Sequence, residues 1–151
     1  MLREDLSEAL KKAQKARDAR RVSTLRLILA AMKDRDIAAR GEGRGEGVPD
    51  EEILSMLQTM IRQRRESIKF YEQGGRLELA EQEQQEIDII EEYLPRQLGE
   101  AEIADAVASA MEDIGASALK DMGRIMATLR ERHAGQMDFG QASKIAKQRL
   151  T

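Results

Sequence analysis

The chain has 151 residues, of which 35% are charged and 41% hydrophobic, and its formal net charge is −3. It has no cysteine, one histidine, two phenylalanines, two tyrosines and no tryptophan. That excludes disulfides, thiolate chemistry, a multi-histidine metal centre and an aromatic base-stacking platform, and predicts a soluble, globular, helical protein of one domain or two small ones.

Leu2, Leu6, Leu10 and Ala13 recur at helical spacing and predict a helix over 2–16. Asp18 is placed to cap a second helix running to about residue 40. Val22, Leu25, Leu29 and Met32 form its stripe. Leu27, Ile28, Ala30 and Ala31 add apolar surface on other faces, so a central position is expected for it. The pattern leaves open whether 2–40 is one bent helix or two. From Gly41 to Gly47 four glycines alternate with charged residues. A phosphate-cradling loop needs a preceding strand and a Lys-Ser/Thr behind it. Neither is present, so a flexible loop is expected over 41–48.

Pro49-Asp50-Glu51-Glu52 starts the next helix, with Asp50 as its cap and the glutamates suited to the N-terminal dipole. Leu54, Leu57, Ile61, Ile68 and Tyr71 sit at heptad-like positions. Arg64 occupies the remaining slot and is expected to meet a carboxylate from the acidic segment 77–94. Gly74-Gly75 ends the helix. Ala80, Ile87, Ile90 and Leu94 carry the stripe of the following one, and Pro95 closes the region.

Glu100 to about Ile114 reads as a helix through Ile103, Val107, Ala110 and Met111, stopped by Gly115. Leu119 to about His133 reads as another, with Met122, Ile125, Met126 and Leu129 inward and Gly135 at its end. Asp138 is placed to cap a last helix through Ala142, Ile145, Ala146 and Leu150. No segment alternates with period two. The fold class is therefore all-α: a long-helix N-terminal domain over 1–95, a hinge near 95–99, and a small three-helix C-terminal domain over 96–151.

Charge is unevenly placed. Residues 1–40 hold eleven bases and six acids, residues 77–95 seven acids and no base, and residues 119–151 seven bases and three acids. The longest apolar run, Leu27–Met32, is far short of the ~20 residues that span a bilayer. Acids stand at Glu4 and Asp5, where a leader has none. The expectation is a cytoplasmic protein that meets neither membrane nor DNA.

No residue set has the pattern of a catalytic centre, and no cofactor or metal is expected. Glu83 and Glu86 can share a helix face, but a di-metal carboxylate bundle also needs Glu-x-x-His, and Arg130 stands three residues before His133. The serines lie in no nucleophile-elbow context, and the single histidine lies far along the chain from most of them.

Gly123 is more informative. Inside a helix, glycine costs about 1 kcal/mol relative to alanine, and such a residue is kept where a neighbouring helix or a ligand approaches the backbone. Lys120 and Arg124 flank it. Arg130 and Arg132 follow, and Lys144, Lys147 and Arg149 lie on the last helix. If the two helices pack antiparallel, these cations form one face able to grip a nucleic-acid backbone.

The run Lys120-Asp121-Met122-Gly123-Arg124-Ile125-Met126 resembles the Asp-Met-Gly-Lys/Arg-Val/Ile-Met signature of the GatB/YqeY family. Three other segments agree in order: Ser23-Thr24-Leu25-Arg26-Leu27, Arg64-Arg65-Glu66-Ser67, and Glu92-Tyr93-Leu94-Pro95-Arg96-Gln97-Leu98. The resemblance runs over nearly the whole chain and is to the free-standing YqeY-like proteins. It implies a C-terminal domain similar to the tail of the GatB subunit of the tRNA-dependent amidotransferase, the part that helps hold tRNA. The catalytic domains of that enzyme have no counterpart here. Asp121, Met122, Gly123 and Arg124 match the motif, and the resemblance makes Arg124 the first choice of RNA contact. Before the last helix the family often shows Gly-Arg/Lys-Ala-Asp-Gly. Gly135 and Asp138 fit it; Gln136 stands in place of the base, and Phe139 in place of the second glycine, as a hydrophobic staple or a stacking ring.

The leading expectation is a non-catalytic tRNA-binding accessory protein, with tRNA and a protein of the tRNA-charging machinery as partners. The alternative is a helical protein–protein adaptor with no RNA role. A third reading, carbon–nitrogen ligase activity with glutamine as amido donor, ranks below both.

Overall fold

In the computed structural model, which describes residues 1–151, seven α-helices and one 3₁₀ turn follow one another with no strand. They are α1 (Leu2–Ala16), α2 (Ala19–Gly41), α3 (Asp50–Gln73), α4 (Leu77–Glu91), α5 (Glu100–Ile114), the turn Leu119–Asp121, α6 (Met122–Arg132) and α7 (Phe139–Leu150). The chain divides into two compact units, Met1–Leu94 and Pro95–Thr151.

The first unit is built from α1 to α4. Residues 2–40 form two helices. Arg17 leaves α1 in the left-handed region at φ 56°, and the Asp18 carboxylate then accepts the Arg21 N–H at 3.1 Å to start α2. α3 and α4 make the most extensive helix pair. Their apolar stripes meet α1 and α2 in a core that includes Leu6, Leu25, Ile28, Ile53, Leu57, Ile87 and Ile90. Each such side chain contributes about 1.5–3 kcal/mol on burial, so this cluster is the main stabiliser of the unit.

Three expectations change here. First, α2 is not surrounded. It packs on α1, α3 and α4 through Leu25, Ile28 and Met32, while Leu27 and Ile37 remain 48% and 54% exposed. Second, Asp50 does not cap α3. That helix begins at Asp50 behind Pro49 with no side-chain cap, and the Asp50 carboxylate accepts the Leu2 N–H of α1 at 3.4 Å. Third, the glycine-rich loop is fixed at its far end. Asp36 accepts two N–H groups of Arg3, at 2.6 and 3.0 Å, and the Val48 N–H at 3.0 Å, while Arg3 donates to the Val48 carbonyl at 3.0 Å. These bonds hold the Asp36 carboxyl down at about 2, the Arg3 guanidinium being the first cause. Gly47 has φ +86°, and a Cβ there would stand 2.8 Å from Asp36 Oδ1 and 3.0 Å from Arg3 Nη2. Only glycine combines that backbone with that approach.

A half-buried ion cluster joins α2, α3 and α4. Arg64 Nε donates to Glu86 Oε2 at 2.9 Å, and Arg20 stands 3.8 Å from the other Glu86 oxygen. This is the carboxylate expected for Arg64. Glu83 and Glu86 do share a face, and what they share is that guanidinium. Burial and the neighbouring Glu86 raise the Glu83 carboxyl above its ordinary value.

In the second unit α5, α6 and α7 enclose Ile103, Val107, Ala110, Ile125, Leu129 and Ala142. Gly115 closes α5 at φ 66°. The Glu102 carboxylate reaches back to the Gly99 N–H at 3.1 Å, completing half of a capping box, and Arg96 holds the same carboxylate. Asp138 caps α7 by accepting the N–H groups of Gly140 and Gln141 at 2.8 and 3.4 Å. The segment ahead of α5 is tied to the α6–α7 turn, with the Leu98 N–H on the Gln136 carbonyl at 2.7 Å and the Gln97 amide on the Gly135 carbonyl at 2.6 Å.

Candidate nucleic-acid interface

The second unit holds eight bases and eight acids, so its net charge is zero and only placement can favour a polyanion. Placement is strongly polar. α5 carries Glu100, Glu102, Asp105, Glu112 and Asp113 and no base; α7 carries Lys144, Lys147 and Arg149 and no acid.

The structure does not gather all the expected cations on one face. Arg124 and Arg132 turn toward the end of α5. Arg124 donates to the Ile114 carbonyl at 3.1 Å and stands 3.4 Å from Asp121, while Arg132 pairs with Asp113 at 2.8 Å. Arg124, the first choice of contact, thus ties the end of α5 to the start of α6. Arg149 lies on α7 roughly 160° around the helix from Lys147, at 100° per residue. The single-face expectation fails because residues two apart on a helix point to nearly opposite sides.

What remains together is smaller. On α6, Gly123, Ala127 and Arg130 form an i, i+4, i+7 stripe, all exposed. On α7, Gly140, Lys144 and Lys147 repeat the same spacing, all exposed. The Arg130 guanidinium lies 5.6 Å from the centre of the Phe139 ring, the first residue of α7, which puts the Arg130 flank of α6 beside α7. Arg130, Lys144 and Lys147 form no salt bridge. Lys120 stands exposed on the 3₁₀ turn at the head of α6, beside half-exposed Leu119. Phe139 is half-buried against the core and serves as a platform for Arg130.

Gly123 itself is open: nothing lies within 4 Å of where its Cβ would be. The neighbouring-helix explanation for this glycine is therefore overturned. Its exposed backbone lies in the first turn of α6, between Leu119 and Ala127. Ala127 escaped the reading of the sequence, although its signal is simple: a small residue four positions after Gly123 and three before Arg130.

The other motif residues are structural. Asp121 is buried, and its Oδ2 accepts the N–H groups of Ser117 and Ala118 at 2.9 and 3.2 Å. Those bonds lower its carboxyl pKa. Met122 packs on the core, Gly135 sits in the α6–α7 turn at φ +71°, and Asp138 is a cap. His133 ends α6, with Nδ1 3.3 Å from the Gln136 amide oxygen. A depression of about 370 Å³ on the α5 side is lined by Glu102, Asp105, Ser109, Arg132 and His133 among others. Its acids would repel a polyanion, so it is not part of this interface. No group of three or more His, Asp or Glu side chains is placed to hold a metal ion.

Fold and surface together define a small all-helical protein in which the Asp121–Arg124 motif braces the start of α6, beside exposed cations on α6 and α7. The profile of the Yqey-like protein family matches residues 3–150, and the chain belongs to that family. Among curated proteins it is similar to "Altered inheritance of mitochondria protein 41, mitochondrial" of Lachancea thermotolerans, 32% identical over 112 residues, covering 73% of this chain and 58% of that protein. The protein of the same name from Saccharomyces cerevisiae S288c is 34% identical over 85 residues, covering 56% and 44%. That from Eremothecium gossypii is 32% identical over 89 residues, covering 59% and 46%. The chain spans about half the length of the curated relatives it matches.

These names correct one expectation. The cytoplasmic assignment does not stand, because the relatives are named as mitochondrial proteins. The sequence argument had rested on missing leader features, and a missing feature does not specify a compartment. No helix is long and apolar enough to cross a membrane.

Proposed function

We propose that the chain is a non-catalytic RNA-binding accessory protein that holds folded RNA, tRNA in the first instance, on the outer face of α6 and α7. The observation that carries this reading is the open backbone at Gly123 flanked by Arg130, Lys144 and Lys147, none of which has a carboxylate partner. Helical RNA is recognised by shape and by backbone and ribose contacts. Leu119, Gly123 and Ala127 supply a shelf for the sugar, and the three cations supply the phosphate contacts. The acidic α5 side disfavours any other orientation. The resemblance to the tRNA-holding tail of an amidotransferase supports the choice of tRNA, and a protein of the tRNA-charging machinery is the partner it suggests.

The test is binding of the full chain to tRNA, organellar species included, at 50, 100 and 200 mM salt, with duplex DNA as control. Removing three phosphate contacts in the variant Arg130→Ala/Lys144→Ala/Lys147→Ala lowers the salt slope by about 2 to 2.7, at 0.7–0.9 per contact. Arg132→Ala leaves that slope unchanged. Equal affinity of the triple variant and the parent, or equal affinity for tRNA and DNA, defeats the proposal.

A further inference from the structure

The depression on the α5 side of the second unit belongs neither to the core nor to the proposed RNA face. Its volume is about 370 Å³, and every residue that lines it lies in Pro95–Thr151. That size falls within the range of small-ligand clefts, roughly 300–1,000 Å³. Leu98 and Ala106 give it an apolar part.

Two of its charged side chains are already committed. The Glu102 carboxylate accepts two Arg96 N–H groups, at 3.0 and 2.9 Å, and the Gly99 N–H at 3.1 Å. The Arg132 guanidinium meets Asp113 at 2.8 Å. Three polar groups of the lining are left over. The Asp105 carboxylate and the Ser109 hydroxyl are exposed and take part in no hydrogen bond or ion pair. They stand four positions apart on α5 and so share one face of it. The third is Nε2 of His133. Gln136 Nε2 donates to the Arg96 carbonyl at 3.5 Å, which leaves the Gln136 amide oxygen facing His133 Nδ1 at 3.3 Å. An amide oxygen can only accept. In the neutral ring Nδ1 therefore carries the proton, and Nε2 keeps a free lone pair.

All three groups left over can accept, and two of them only accept. The Glu102–Arg96 and Arg132–Asp113 pairs balance themselves, so the uncompensated charge of the lining is that of Asp105. The ligand that complements this set brings a positive charge, several donors and a short apolar stem. An ammonium offers three donors on a compact, strongly hydrated head, whereas a guanidinium offers five in a planar fork and sheds water more easily. We infer that the depression binds an alkyl guanidinium, with its head on Asp105, His133 Nε2 and Ser109 and its stem on Leu98 and Ala106. Arg132 tempers the site: it adds a cation to the wall and occupies Asp113. Two sources share this chemistry, an arginine side chain of a partner chain and a free guanidino compound.

The probes are N-acetylarginine N-methylamide, which mimics an arginine within a chain, and agmatine, which is a free small molecule. N-acetyllysine N-methylamide is the control. Amide and imidazole resonances of the full chain are followed on titration. The expected result is saturable shifts at Asp105, Ser109 and His133 with a Kd of about 1 mM, as befits one side chain on a few contacts. Tighter binding of the blocked residue assigns the site to a partner chain, and tighter binding of agmatine to a small molecule. Asp105→Asn weakens binding at least tenfold, because it removes the charge-assisted hydrogen bond. Ser109→Ala weakens it less, and Arg132→Gln tightens it severalfold by removing the cation and freeing Asp113. All three substituted side chains are exposed, so the remaining amide spectrum should be unchanged. Three outcomes overturn the inference: no shifts at these residues with millimolar probe, a lysine control that binds as tightly as the arginine probe, or unchanged affinity in Asp105→Asn. The RNA reading is tested at Arg130, Lys144 and Lys147, so either proposal can fail alone.

Discussion

Arg64 in the first unit and Lys147 in the second carry the same formal charge in different surroundings. Arg64 is half-buried and shared between Glu86 and Glu83, with a further bond to the Met60 carbonyl. Lys147 is exposed on a helix with no acid. Both units contain the two kinds. In Met1–Leu94 Arg3 closes on Asp36 and Val48, Arg21 on Glu92 and Arg65 on Glu91, while Arg26, Lys33 and Arg40 of α2 stand exposed with no salt bridge. In Pro95–Thr151 the cations divide, Arg124 and Arg132 bracing α5 while Arg130, Lys144 and Lys147 face water. A charge held by a partner at low exposure is part of the fold, and one without a partner is available to a ligand.

Mutations of the two kinds should differ in size. Arg64→Ala leaves Glu86 with only the more distant Arg20, so urea denaturation should show a loss of about 3–5 kcal/mol, the usual cost of breaking a buried pair. Lys147→Ala should stay within about 0.5 kcal/mol of the parent. Similar losses at both positions would erase the distinction.

Two glycines sharpen it further. Gly47 and Gly43 have the same φ of +86°, but only Gly47 is crowded. Gly43→Ala should cost about 1 kcal/mol for its backbone alone, and Gly47→Ala about 2–3 kcal/mol, because Asp36 must also give way. Equal losses would show that the Arg3–Asp36–Val48 latch does not hold the loop.

The latch has a pH signature. The Asp36 carboxyl lies at about 2 against an ordinary 3.8, so the folded state binds the proton less readily than the unfolded chain. Its contribution is complete above the unfolded value and is lost as pH falls from about 4 toward 2. The stability difference between the parent and Asp36→Asn should therefore shrink across that range, read by denaturation midpoints at each pH. A constant difference would remove Asp36 from the acid response.

Gly123→Ala is the smallest effect on folding and the most direct on function. With open space around its Cβ position, alanine should stabilise α6 by up to about 1 kcal/mol. The same methyl should weaken tRNA binding if RNA rests on that backbone. A variant that gains stability and binds as before would leave the glycine without a ligand role.

Much of the fold was legible in the residues. The stripes of Leu6, Leu25, Leu57, Ile87 and Ile125 marked the buried faces, because helical periodicity and burial are the same fact seen twice; in α3 the stripe began one residue late, at Leu54, and the side chain that is buried is Ile53. Asp18, Asp138 and Gly115 marked helix ends for equally local reasons. The candidate interface was less legible: the spacing grouped the cations of α6 and α7 on one face, and the structure turns Arg124 and Arg132 toward α5.

Composition and periodicity determined the all-helical class, the main helices and the basic character of the last one, since these depend on residues a few positions apart. Only tertiary structure decided that Arg124 and Arg132 brace α5, that Gly123 is open, that Gly47 fits against Asp36 and that α2 keeps one face uncovered. Each of those depends on atoms brought together from distant parts of the chain, and a one-dimensional pattern does not encode which partner a charge or a cavity will find.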